Sequence, residues 1–152
     1  MSWIYRGLEI DDIVKCPENS VGFIYRITQL EKIPGENAFS LGKFYIGKKQ
    51  LYSNRRVKIT QKEKAETGNN RKQFKQVIKE SDWKTYNSSS KELQQEIKNL
   101  GEDAFVKEIL EFCFSKRELS YKEVKWQFKL EVLENNTYNG NILSRFFKKK
   151  EV

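Results

Sequence analysis

No histidine occurs anywhere in this chain of 152 residues. That absence removes the imidazole base of Ser-His-Asp and Cys-His chemistry, and with it the usual zinc ligand. An enzyme built from this sequence must move protons with tyrosine, lysine, a carboxylate, or water on a metal. Cysteine is nearly as scarce. Cys16 and Cys113 are isolated, which argues against a disulfide framework or a zinc site. No apolar run is long enough to cross a bilayer, and charges break the N-terminus too early for a secretory signal. These absences predict a cytoplasmic protein with no membrane partner.

Charge of one sign is in excess. Lys and Arg number 29 against 21 Asp and Glu, giving a net charge of +8 and a pI near 9.4. Such a surplus favours polyanions such as nucleic acid. The length, with 38% hydrophobic and 33% charged residues, suits one domain with one moderate core. The positive charge is concentrated between Gln50 and Gln76, where Arg55, Arg56, Lys58, Lys62, Lys64, Arg71, Lys72 and Lys75 face only Glu63 and Glu66. Two readings stay open for this stretch: contacts to phosphates, or a solvated surface.

The patterning predicts alternating elements. Residues 1–21, with Trp3 to Ile10 around Gly7, read as a small hairpin or an extra edge strand packed on the domain. Val21–Gln29 and Lys43–Lys49 read as central strands, joined by a connector over 30–42 that contains the turn residues Pro34-Gly35. In the second strand Tyr45, Gly47 and Lys49 share one face, and Phe44 and Ile46 the other. A helix is expected from about Arg71 to Lys79 around Phe74, Val77 and Ile78. Asp82–Tyr86 reads as a short strand or loop. Ser89-Ser90-Lys91-Glu92 is a capping box opening a helix that Gly101 stops. Phe105–Phe114 reads as a third strand, and Ser115-Lys116-Arg117-Glu118 opens the longest helix, to about Leu133. The C-terminal residues 148–152 read as a frayed basic tail. The sum is an α/β (α+β) domain over 22–147: a small, mainly antiparallel, three-stranded sheet flanked by helices, with an N-terminal hairpin extension.

On the last helix Leu119, Trp126, Leu130 and Leu133 form one stripe, and Glu123 falls within it. A carboxylate on an inner face is costly unless it is paired or holds a cation. It is therefore either an ion-pair partner or a single ligand for a hard cation such as Mg²⁺. Tyr25 and Tyr45 carry a similar choice, between core packing with a satisfied hydroxyl and a chemical role.

Gly22-Phe23-Ile24-Tyr25 together with Tyr45-Ile46-Gly47 resembles the signature of the GIY-YIG nuclease superfamily. Phe23 stands where the name-giving glycine would be, and the connector over 30–42 is longer than the tight hairpin usual in that superfamily. Its members carry an arginine on a helix about ten residues beyond the second tyrosine, and Arg55 stands ten after Tyr45, with Arg56 adjacent. They also carry a metal-binding glutamate on a later helix, which Glu123 matches, and a Tyr-Asn near the domain end, which Tyr138-Asn139 matches. Many relatives place a histidine one helical turn after the arginine. This chain is similar instead to the branch in which lysine and tyrosine handle protons.

The resemblance implies a Mg²⁺- (or Mn²⁺-) dependent DNA endonuclease of the phage or mobile-element homing or interference kind. Glu123 would hold the metal, and Tyr25 would orient or deprotonate the attacking water, its phenol pKa lowered by Lys49 or by Lys48. Tyr45 would position the water or the phosphate, Arg55 would stabilise developing charge, and Asn139 would brace the site from behind. Lys48, Arg56, Lys58, Lys62, Lys64, Arg71 and Lys72 would contact DNA, and a homodimer is compatible with the sequence. Two alternatives are a nicking or structure-specific nuclease, and a non-catalytic nucleic-acid-binding module that keeps the fold.

Overall fold

Period-2 alternation puts Phe23, Tyr25 and Ile27 on one face of a long strand and Ile24 on the other, and all four are buried. A strand apolar on both faces has to be central, with a layer on each side. The computed structural model describes residues 1–149 and shows this arrangement. The five-stranded sheet runs in the order β2-β1-β7-β3-β4, with β1 Trp3–Tyr5, β2 Leu8–Ile10, β3 Gly22–Lys32, β4 Phe39–Gln50 and β7 Phe105–Cys113. All its pairings are antiparallel except β1 with β7. The N-terminal hairpin therefore joins the sheet, widening the three expected strands to five. Trp3 is fully buried in the core, and its indole N–H donates to the Trp83 carbonyl at 2.6 Å.

One face of the sheet packs Phe23, Tyr25 and Ile27 against Trp3, Trp83, and Leu93 and Ile97 of α2 (Lys91–Leu100). The other packs Ile24 and Ile46 against Leu119 of α3 (Lys116–Lys129), with Val132 and Ile142 beyond it. Both helix starts are capped by serine side chains. Ser115 accepts from the Glu118 N–H, as its capping box predicts. In α2 the cap is Ser90, which accepts from Leu93 N–H, one residue later than the sequence suggested.

Three expectations change. Residues 30–42 are no irregular connector, because β3 and β4 stay paired out to Lys32 and Phe39. The helix expected over 71–79 is a strand, β6 (Phe74–Glu80), paired antiparallel with β5 (Tyr52–Lys58) in a separate two-stranded ribbon. Cross-strand pairs such as Lys58 with Phe74 and Arg55 with Val77 offer partners that an isolated, three-turn amphipathic helix would lack. The helix in this region is instead α1 (Gln61–Thr67), capped by Thr60 and ended by Gly68 in the left-handed conformation. Its signal, Thr60-Gln61-Lys62-Glu63, is a capping box. Of the expected basic tail, residues 150–152 lie outside the described residues. Lys148 is not frayed: its ammonium donates to the Thr137 carbonyl and hydroxyl at 2.9 and 3.2 Å.

Lys107, on β7, is 1% exposed with its ammonium 4.2 Å from the Trp3 ring centroid. Burial lowers its pKa to about 8, against about 10.4 for a free lysine. A lysine whose pKa falls on folding penalises the folded state fully below the folded value, and the penalty fades as pH rises to the unfolded value. Lys107→Met is therefore expected to be more stable than the wild type at pH 7, with the gap narrowing between about pH 8 and 10.5. Urea unfolding of both proteins across that range measures it, and a gap independent of pH would contradict it.

Candidate active site

The register of β3 against β4 places Tyr25 opposite Gly47 and Ile27 opposite Tyr45. Both phenol rings therefore rise from the same sheet face, their centroids 6.1 Å apart. Gly47 is what lets them meet. A Cβ at that position would lie 2.5 Å from the Tyr25 hydroxyl oxygen and 2.8 Å from a Tyr45 ring carbon. Tyr25 is 1% exposed, while Tyr45 is half-buried, its hydroxyl 3.0 Å from the Ser89 hydroxyl. A third ring, Tyr86, stands edge-on to Tyr25 at 6.0 Å.

Lys49 lies on the same face of β4, but it does not depress the Tyr25 pKa. Its ammonium donates to Asp82 Oδ1 at 2.6 Å and sits 4.0 Å from the Tyr86 ring centroid. The Tyr25 phenol is held well above its ordinary value, first by burial and then by the Tyr45 and Tyr86 phenols and the Glu123 carboxylate. Tyr45 is raised as well, again by burial first. This corrects the expectation of a lysine-activated phenolate: both phenols are protonated, neutral hydrogen-bond donors at ordinary pH.

Glu123 reaches the site from α3 at the open side of β4, the outer strand of the sheet. Its pKa is raised by burial, against the charge and the backbone N–H of Lys48, which favour the ionised form. Among the described residues it forms no ion pair, because the Lys48 ammonium donates instead to Ser120 Oγ at 3.1 Å. A polar cleft of about 340 Å³ brings Glu123 together with Tyr45, Ser89, Gln127 and Asn139. Asn139 is 3% exposed. It clamps the backbone of one β4 residue on both sides of its Cα, accepting from Ile46 N–H at 3.0 Å and donating to Ile46 C=O at 2.9 Å. Gln127 donates to the same carbonyl at 3.3 Å.

The donor set suits a hard cation. Glu123 is a partly desolvated carboxylate that forms no salt bridge among the described residues, with the Lys48 charge nearby, in a cleft lined by hydroxyl and amide groups. No group of three or more acidic, cysteine or histidine residues able to hold a metal occurs among the described residues. A single carboxylate could hold a hard divalent cation only together with waters and substrate oxygens, not as a closed protein cage.

Tyr25, Tyr45, Glu123 and Asn139 thus converge, with Lys49 behind Tyr86 and Lys48 beside Glu123. Arg55 does not line the cleft. It lies on β5 rather than on a helix, exposed in the projecting ribbon, and Arg56 stacks 4.0 Å from the Phe74 ring centroid there. Lys58, Lys62, Lys64, Arg71 and Lys72 lie on or near the same ribbon and its tip. Sequence reasoning missed Ser89, Gln127, Tyr86 and Asp82. Gln127 had a readable signal, standing one helical turn after Glu123 on the same face; the other three sit in loops with no periodicity.

Gly47→Ala is expected to lower stability by about 1–3 kcal/mol through overpacking and to change the near-UV signal of the displaced tyrosines. Urea unfolding and near-UV circular dichroism measure both, and an unchanged spectrum would show that the rings need no such space.

The family model described as "Putative endonuclease segE, GIY-YIG domain" matches residues 3–149. Neither the curated proteins nor the solved structures include a significant match. With its paired tyrosine strands, its α3 glutamate and its terminal asparagine all inside the matched span, the chain belongs to the GIY-YIG endonuclease family.

Proposed function

We propose that this chain is a metal-dependent DNA endonuclease that hydrolyses a phosphodiester bond in the cleft between Tyr45 and Glu123. The observation that carries the reading is the partly buried Glu123 carboxylate, without a salt bridge among the described residues, lining a polar cleft together with the Tyr45 phenol. Glu123 would hold Mg²⁺ or Mn²⁺, which when bound supplies Lewis-acid polarisation of the phosphate and charge for the leaving 3′-oxygen.

The chain's own residues position and donate. Tyr45, as a protonated phenol at the cleft wall, hydrogen-bonds the attacking water or a non-bridging phosphate oxygen. Tyr25 fixes the Tyr45 ring from behind, and its neutral hydroxyl adds a second O–H dipole to a water-poor corner, where such dipoles act strongly. Lys49 is a positioning residue in this reading, because it ties Asp82 and Tyr86 against the tyrosine pair. Asn139 and Gln127 hold the Ile46 backbone, so the strand carrying Tyr45 cannot shift relative to α3. Arg55 acts on DNA from outside the cleft, through the phosphate backbone.

Supercoiled plasmid with Mg²⁺ tests the reading. Glu123→Gln is expected to lose at least about 10²-fold in cleavage rate, and Tyr45→Phe about 10-fold or more, by analogy with removing one positioned donor. Glu123 ionises at a higher pH in the fold than a free glutamate does. Acidification should therefore silence the wild type before a free carboxylate would protonate, and the rate should rise with pH through that raised value. Cleavage that persists undiminished in Glu123→Gln would end the proposal. Open circles without linear product would identify a nickase.

A further inference from the structure

The β5–β6 ribbon pairs with no strand of the main sheet. Tyr52 to Glu80 carries nine Lys and Arg against three Glu, a surplus of six in a chain whose net charge is +8. Cross-strand register sorts its side chains by face. Arg55 opposite Val77 and Ser53 opposite Lys79 share one face, which also carries Lys75, ion-paired with Glu63 of α1. The opposite face carries Arg56 directly across from Gln76, with Asn54 and Lys58 one step to either side. Asn54, Arg56 and Gln76 are all exposed. The Arg56 guanidinium carbon lies 4.0 Å from the Phe74 ring centroid, a contact that limits its rotamer freedom while the residue stays exposed.

A two-stranded ribbon fits the major groove, where arginine can pair with guanine through two hydrogen bonds and asparagine or glutamine with adenine. This face gathers one arginine and two amides at adjacent register positions, inside a segment charged enough to be drawn onto phosphates. Seven paired residues span about 24 Å at roughly 3.4 Å each, or about seven base pairs. The ribbon's root is fixed. Leu51 N–H donates to the Val21 carbonyl at 2.9 Å, Ser81 N–H to the Leu51 carbonyl at 2.8 Å, and Ser81 Oγ to the Gln50 carbonyl at 2.6 Å. Lys49 and Asp82 close that root beside the tyrosine pair.

We propose that the β5–β6 ribbon enters the major groove of duplex DNA, and that Asn54, Arg56 and Gln76 read base edges there. The ribbon then sets sequence preference at a fixed distance from the cut. This last step rests on the endonuclease reading above; groove reading itself does not.

The test is binding of the full chain, in EDTA, to a duplex pool with a randomised segment, followed by sequencing of the bound fraction. Wild type is expected to enrich a short motif, including at least one guanine. Arg56→Ala should relax discrimination at that guanine about tenfold or more, and N54A/R56A/Q76A should erase the motif while far-UV circular dichroism stays unchanged. Affinity should still fall steeply with salt in the triple variant, whose remaining cations contact phosphates. No enrichment by wild type, or the same motif from the triple variant, overturns the proposal. Because EDTA removes cleavage from the readout, a wild type that enriches a motif but never cuts plasmid sinks the catalytic reading alone.

Discussion

The space above Gly47 governs the site. Two phenol rings occupy the volume that any side chain there would need, and the β3–β4 register brings them into it from neighbouring strands. Crowding has an electrostatic result as well as a steric one. Each ring excludes water from the other, so neither phenol gives up its proton readily. The glycine of the Tyr-Ile-Gly motif thus selects for a pair of neutral donors. Glu123, arriving from α3 on the opposite layer, is then the one acidic residue among the described residues that lines the cleft with Tyr45.

The strands that hold the tyrosines were legible because alternation and turn residues agree over Val21–Gln29 and Lys43–Lys49, and the α3 start because its serine cap is unambiguous. Glu123 was legible for a different reason: a charge within an apolar stripe is costly enough to need an explanation. Other features were not. No local rule says that Lys49 will be taken by Asp82, 33 residues away, so the direction of the Tyr25 shift could not be read in advance. Ser89 and Tyr86 reach the site through loop geometry alone. Spacing pointed to Arg55, but spacing counts residues and not distance, and the ribbon carries this side chain off the sheet.

The ribbon shows why periodicity fails for exposed hairpins. Phe74, Val77 and Ile78 fit a helical stripe, yet none is fully buried, so no core selects between the two periods. Cross-strand pairing and the capped turn at Thr60–Gly68 decide the matter. A segment with little core to satisfy is free to take its composition from what it touches, and here that composition is strongly basic.

One feature at the sheet margin reaches beyond the cleft. Thr137 bridges to Phe44, the Tyr138 N–H donates to the Phe44 carbonyl, and Asn139 takes both backbone polar groups of Ile46. Over that stretch the outermost strand offers no free ladder to another chain. Three consecutive residues near the C-terminal end act as a guard rail against strand addition and the aggregation that follows from it. Self-association of this protein would have to use side-chain surfaces there, and the backbone that carries Tyr45 stays out of reach of a stray β-segment.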